Sequence, residues 1–277
     1  MSTINTNVNA LFAQNALKIN DRSLTKAMQQ LSTGSQVNSA GDNAAGLAIG
    51  TTMTAQIRGL NQAVRNANDG ISMLQTAEGA MVEQTNMLQR MRELSVQATT
   101  ATYNTTQLGY LDTEFQALNT QITNIATNTK WNGSSLLDKT AAAGNINSFV
   151  VGSAGTETIS VKIANTTNLA ACGLATTALA VSSAGSAAAS VTAIDTALAS
   201  ISSARASIGA GINQLTYAAD NLTNVTQNLT ASRSQIMDTD YATATTQLAR
   251  SQIIQQAATA MLAQANQQPQ SVLALLK

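Results

Sequence analysis

Residues 194–240 run IDTALASISSARASIGAGINQLTYAADNLTNVTQNLTASRSQIMDTD. Stepping four and then three from Ile194 gives Ile194, Leu198, Ile201, Arg205, Ile208, Ile212, Leu215, Ala219, Leu222, Thr226, Leu229, Arg233, Ile236 and Asp240. Nine of these fourteen are large aliphatics, and the step does not slip. A 4-3 apolar repeat held for about six heptads is a coiled-coil seam. Arg205, Thr226 and Arg233 interrupt it, as polar seam residues that weaken packing and fix register.

A second seam lies upstream. Met53, Ile57, Leu60, Val64, Ala67, Ile71 and Leu74 keep the same step, and Met81, Leu88 and Met91 continue it. Asp42 is placed to cap this helix. A continuous helix over 44–99 would be roughly 84 Å long at 1.5 Å per residue. Gly59, Gly70 and Gly79 each cost it up to about 1 kcal/mol against Ala, and are read as points of close helix approach, with local softness equally compatible. A shorter helix follows over Thr105–Asn128 after a break at 99–104, with Leu108, Leu111, Phe115, Leu118, Ile122 and Ile125 on one face. The methionines at 53, 73, 81, 87 and 91 suit adaptable packing.

Composition narrows the function. The chain has 277 residues, 14 basic and 14 acidic, and no His. Without His, the commonest general base and metal ligand are missing. The single Cys, Cys172, leaves no internal disulfide and no cysteine-based zinc site. Zero net charge gives no footprint for nucleic acid. With only 10% charged residues, little self-repulsion opposes association of identical copies. The single Pro, at 269, leaves helix almost uninterrupted before the C-terminus. No apolar run is long enough for a membrane span, and the first residues lack a basic and apolar leader pattern. The expectation is a non-enzyme with no cofactor, no metal, no nucleic-acid partner and no membrane insertion.

Past Lys130 the pattern changes. Trp131-Asn132-Gly133-Ser134 signals a turn. Phe149–Val151 and Ile159–Ile163 are short and β-branched around a Gly-rich link, which predicts a β-hairpin. Residues 164–190 are uncharged and rich in small residues, as in a loosely specified connector. The two ends carry thin apolar stripes on an Asn/Gln background: Ile4, Val8, Leu11 and Phe12 at one, Ile253, Ile254, Ala258, Met261 and Leu262 at the other. Stripes this thin do not hold a lone helix in water, so both ends are expected to order only when something covers them. Asp238 and Asp240 stand before a helix start, as caps.

At both extremities the residues resemble the bacterial flagellins. The resemblance rests on Ile4-Asn5-Thr6-Asn7, Leu31-Ser32-Thr33-Gly34, Val37-Asn38-Ser39-Ala40, Asp42–Ile49, Asn66–Ser72 and Leu88–Gln97. At the other end it rests on Ser234–Tyr241 and Ala263–Leu273. It covers about residues 1–140 and 190–277, and two matched ends in order are far more specific than one short motif. The family has Phe where Trp131 stands. It also has an Arg and a Glu where Gln214 and Thr216 stand, so that family ion pair is absent here.

The resemblance implies a mainly α fold: a long antiparallel helical coiled-coil bundle with a small β-hairpin and terminal helices disordered in the monomer. It divides the chain into an N-terminal inner-core helix (1–40), the N-terminal part of a helical rod (41–140), a hairpin and short variable connector (141–190), the C-terminal rod helix (191–237) and a C-terminal inner-core helix (238–277). Large outer domains are lacking. It implies a secreted structural subunit of the extracellular flagellar filament, polymerising with copies of itself for swimming. Flagellar type III export apparatus, a flagellin chaperone and the filament cap are the implied partners. The two terminal stripes then become the polymerisation surface. The vertebrate Toll-like flagellin receptor would meet Gln89, Arg90, Glu93, Leu94, Gln97 and Glu114. The plainer role for the charged members of that set is surface ion pairing, such as Arg90 with Glu93. Two alternatives stand beside the filament subunit. One is a hook–filament junction protein, which normally has a larger middle. The other is a secreted membrane-active coiled coil, disfavoured by the scarcity of Lys and Arg at the ends.

Overall fold

The computed structural model describes residues 7–100, 102–138, 145–163, 181 and 183–274. In chain order they form α1 (Val8–Thr33), α2 (Ala44–Ala98), α3 (Thr105–Asn128), β1 (Lys130–Trp131), β2 (Ser134–Ser135), β3 (Asn145–Val150), β4 (Thr158–Ile163), α4 (Ala184–Met237) and α5 (Tyr241–Ala274). Two compact units share these elements, one of residues 1–55 and 227–277, the other of 56–226. Both α2 and α4 contribute to each. Ile4, Cys172 and most of the expected connector lie outside the described residues.

In the 56–226 unit the core is a seam of small and large residues in alternation. On α4 the buried positions are Ala187, Ser190, Ile194, Ala197, Ile201, Ala204, Ile208, Gly211 and Leu215, a strict 3-4 spacing, followed by Ala219 and Leu222. This corrects the sequence expectation in its first half. Leu198, Arg205 and Ile212 flank the seam, half-buried, while Ala197, Ala204 and Gly211 occupy it. Size explains the difference: where backbones approach closely, a small residue fits and a large one is pushed to the side. From Leu215 the observed and expected positions coincide. The join is a 4-4 step, Gly211–Leu215–Ala219, which is a stutter in the heptad pattern. The helix also begins at Ala184, inside the segment expected to be connector, because Ala187 and Ser190 extend the same buried face.

The same substitution of small for large recurs on α2. Ala63 is buried where Val64 was expected, and Gly70 where Ile71 was expected. Met81, Leu88 and Met91 are fully buried, as the spacing indicates. Against this face packs α3, through Phe115, Asn119, Ile122 and Ala126. It spans the range read from sequence. Asn104 caps it by accepting from Gln107 N, while the Gln107 side chain accepts from Asn104 N, a reciprocal box that satisfies two otherwise orphaned donors.

Two antiparallel hairpins follow. β1 and β2 pair Lys130 with Ser135 and Trp131 with Ser134. Asn132 and Gly133 both take positive φ, 48° and 80°, the backbone that a two-residue hairpin turn demands. β3 and β4 pair from Asn145 with Ile163 to Val150 with Thr158. β3 lies earlier than the expected Phe149–Val151 strand, because the ladder runs the full length of β4. Val161 and Ile163 point inward, Ser160 and Lys162 outward.

Three glycines of the two long helices, Gly59, Gly70 and Gly211, face this second hairpin. A Cβ on Gly59 would come within 2.9 Å of the Ser153 carbonyl oxygen, and one on Gly70 within 2.8 Å of the Phe149 ring. One on Gly211 would lie 2.5 Å from Val161 Cγ2. Close approach at Gly59 and Gly70 is therefore to a hairpin rather than to a helix, and Gly79 meets nothing within 4 Å. Gly211→Ala should destabilise the unit by up to about 2 kcal/mol. The helix gains roughly 1 kcal/mol, but overpacking against a stiff, buried Val costs about 1–3 kcal/mol. Gly209→Ala, with nothing within 4 Å, should stabilise by up to about 1 kcal/mol. Urea unfolding of the two variants checks the opposite signs.

In the other unit α1 ends at Gly34, whose φ of 69° closes the helix in the left-handed region at low cost. The chain then lies along the end of α4. Gln36 N donates to Met237 O at 2.7 Å, Thr239 N to Gly34 O at 2.9 Å, and Ser35 bridges Asp238. Asp238 thus joins a bridge rather than capping a helix. Asp42 does not cap α2 either. Asn43 does, accepting from Gly46 N at 2.8 Å. Asp42 instead holds the preceding turn, accepting from Ser39 N and Oγ and pairing with Lys26 at 3.0 Å. The Lys26 ammonium, then Ser39, hold its carboxyl below the ordinary range.

Candidate assembly and recognition surfaces

The two terminal helices pack on each other, so each partly covers the other's stripe. Their pairing is antiparallel: Asn7 Nδ2 donates to Ala265 O and Asn20 Nδ2 to Ser251 O, both at 2.8 Å. The inward face of α1 is Ala10, Ala13, Leu17, Asn20, Leu24 and Ala27. That of α5 is Ala244, Leu248, Ser251, Gln255, Ala258, Leu262 and Ala265. Six of these thirteen are Ala and four are Leu: Leu17, Leu24, Leu248 and Leu262, all half-buried. Other large apolar side chains are on the outside: Phe12 is 70% exposed, Met261 64%, Ile253 66% and Leu11 56%, with Val8 and Ile254 also exposed. Of the terminal stripes read from sequence, Ala258 and Leu262 turn into the pair and the other described members face out. An open groove between the helices is lined by Phe12, Ala13, Ala16, Ala258, Met261 and Ala265. Ile19 extends the outward apolar surface of α1, and Met28 is exposed near the other end of the same helix.

Asp240 anchors the start of α5, as its position suggested. Its carboxylate accepts from Ala242 N at 2.9 Å and Thr243 Oγ1 at 2.7 Å. The Thr243 hydroxyl, and then the Ala242 amide, hold its pKa below the ordinary value. A lowered carboxylate pKa stabilises the folded form at pH above the unfolded value, near 3.9, and the contribution fades as pH falls through the folded value. Protection of the first turn of α5 from hydrogen exchange, relative to the intrinsic rate at each pH, should therefore fall below about pH 4. In Asp240→Asn, which caps without charge, that acid-dependent difference should vanish.

A second surface, on α2 and α3, holds the charged group noted in the sequence. Arg90 bridges two carboxylates, Glu93 at 3.0 Å and Glu114 at 2.9 Å. Glu93, then Glu114, raise the Arg90 pKa above its ordinary value. Gln97 Nε2 donates to Tyr103 Oη at 3.0 Å. Gln89, Arg90, Glu93, Gln97 and Glu114 are exposed together, whereas Leu94 is buried in the core and only 1% exposed. A shallow groove beside them is lined by Gln89, Arg92, Glu93, Val96 and Gln97. Sequence reasoning missed the pairing of Arg92 with Asp195, at 2.7 Å and 103 residues apart. It also missed Arg205 with Glu78 at 3.7 Å. Neither pair shares a helix, so no local spacing marks it. The ions of the Arg90 and Arg92 pairs are solvent-exposed, where such pairs add little stability, whereas Arg205 and Glu78 are half-buried.

Among the described residues no helix is long and apolar enough to cross a membrane. Residues 4–142 match the bacterial flagellin N-terminal helical region, and residues 191–276 the bacterial flagellin C-terminal helical region. The chain is 43% identical to a flagellin of Halalkalibacterium halodurans over 274 residues, and 41% identical to a flagellin of Bacillus subtilis over 302, covering 99% of both chains in each case. It is 37% identical to the flagellar filament 33 kDa core protein of Treponema phagedenis, again over 99% of each chain. A crystal structure of Bacillus cereus flagellin superposes with a TM-score of 0.51 at 32% identity, covering 61% of this chain and 94% of that one. Two terminal regions matched in order, a helical fold with short hairpins, and full-length relatives of similar size place the chain in one group: it belongs to the bacterial flagellin family, the structural subunits of the flagellar filament.

Proposed function

We propose that this chain builds a swimming filament by adding copies through the outward face of its terminal helix pair. The observation that carries the proposal is the apolar surface left uncovered on α1 and α5. Alanines and four half-buried leucines lie between the helices, and Phe12, Ile253 and Met261 lie outside. A lone copy gains little from the thin inner seam, so the pair is marginal by itself and becomes stable when neighbours cover the outer face, at roughly 25 cal/mol per Å² of apolar surface. Two unlike faces meeting head to tail need not close, and so propagate as a helical tube. In this reading residues 1–40 and 238–277 form the inner core and the intervening helices the shell around it. The same proposal includes export as an unfolded chain through a flagellar type III channel, escort by a chaperone and insertion under a cap; a chain with a single cysteine, which forms no internal disulfide, suits that route.

The test is seeded growth. Purified chain offered to sheared filament fragments should elongate them. Deletion of residues 1–20 or 258–277 should abolish elongation while the 56–226 unit keeps its helical circular dichroism. Growth at the full rate after either deletion would falsify the proposal. The exposed cluster of Gln89, Arg90, Glu93, Gln97 and Glu114 supports a second reading, recognition of the free chain by the Toll-like flagellin receptor, with buried Leu94 supporting the surface from beneath. Arg90→Ala should weaken a receptor-reporter response, and an unchanged response would remove Arg90 from that surface.

A further inference from the structure

We propose that Met28 and Met261 are oxidation sites through which peroxide-type oxidants stop the addition of free subunits. The chain has nine methionines. Among the described residues, Met28 and Met261 are the exposed ones, at 55% and 64%. Met73, Met81 and Met91 are buried in the 56–226 core. Met53 and Met87 are half-buried, and Met237 packs its sulfur against the backbone at Gly50. The two exposed sulfurs therefore belong one to each terminal helix. Met261 lines the groove that also contains Phe12.

The chemistry needs only access. The thioether sulfur attacks one oxygen of hydrogen peroxide, the O–O bond breaks as an S–O bond forms, and the proton on the attacked oxygen passes to the departing hydroxide, which leaves as water. The sulfur is oxidised by two electrons and the peroxide reduced by two. The product sulfoxide is polar and chiral where the thioether was apolar and adaptable. On a face that must be desolvated for assembly, that change places an unpartnered S=O dipole at the contact. Once neighbours cover the face the same sulfurs are sheltered. Oxidant then acts on the pool of unassembled chain and spares the finished polymer, and enzymatic reduction of the sulfoxide restores growth. The inference rests on the proposed assembly face.

The experiment is peroxide treatment of the full-length free chain, followed by peptide mass measurement and seeded growth. Met28 and Met261 should oxidise at least tenfold faster than Met81 and Met91, and elongation should fall at least tenfold when both are sulfoxides. The Met28→Leu/Met261→Leu chain, whatever its own untreated rate, should keep at least half of that rate after the same treatment. In assembled fibres both sites should react at least tenfold more slowly than in free chain. Normal elongation by doubly oxidised chain overturns the inference, as does equal loss of growth by the treated double Leu variant. An untreated parent that fails to elongate overturns the assembly reading instead. Preferential oxidation of the two sites is then decided by the mass measurement alone.

Discussion

Phe12→Ala should raise the critical concentration for growth on seeds at least tenfold, and Phe12→Asp at least a hundredfold. The Phe12 ring is 70% exposed on α1, so most of its apolar surface is still free to be covered. Full burial of such a side chain contributes about 1.5–3 kcal/mol, and each 1.4 kcal/mol is about tenfold in an equilibrium constant. Truncation removes most of that gain. A carboxylate adds the penalty of desolvating a charge against an apolar neighbour. The inner seam of the pair does not use Phe12, so the circular dichroism of the free chain should hardly change. Sedimentation of seeded mixtures across a concentration series measures the shift. A critical concentration within twofold of the parent for Phe12→Asp would show that the outward face is not the contact surface.

Phe115→Ala should destabilise the 56–226 unit by about 3–5 kcal/mol, the usual range for removing a buried aromatic ring. Phe115 is fully buried and is the largest side chain that α3 contributes to the core. With few aromatics in the chain, no other ring is at hand to fill the space. The remaining buried positions of α3 are Asn119, Ile122 and Ala126, too slender a face to hold its 24 residues without the ring. A loss of this size in a unit of this length lowers Tm by roughly 10 °C. Phe115→Leu keeps much of the volume and should cost about 1–2 kcal/mol. Thermal unfolding of both variants separates the ring from mere apolarity. Equal and small effects would mean that α3 is held elsewhere, for instance by the Arg90–Glu114 pair.

Periodicity made the helices legible, and it misjudged the seam for one physical reason. Counting large aliphatics picks Leu198 and Ile212, yet the closest packing belongs to Ala197, Ala204 and Gly211, because close packing of backbones selects against bulk. The boundaries of α3 could be read because Asn104 and Gln107 carry cap chemistry in the chain itself. The cap of α2 was misplaced by one residue, since both Asp42 and Asn43 suit the task and only folding brings Lys26 to Asp42. Apolar pattern likewise identified the terminal stripes but not which members turn inward. That choice follows from the amides of Asn7 and Asn20 meeting carbonyls across the pair, more than two hundred residues away in the chain. Family likeness singled out Gln89, Arg90, Glu93, Leu94, Gln97 and Glu114 without telling which are exposed; the burial of Leu94 follows from its place on α2, one helical turn past Arg90 and on the inner side.

The stutter in α4 has a mechanical corollary. A heptad pattern winds its helices into a left-handed rope, and an inserted step of four relaxes that winding locally. Between Gly211 and Ala219 the strand of rope therefore runs straight-grained, directly after the point where Val161 seats on Gly211. Excising one four-residue step there would restore uniform winding and turn every later side chain by about 40°, from 100° per residue at 3.6 residues per turn. Leu222 would then no longer share a line with Ile208, and the grip between hairpin and helix would be set to a different torque.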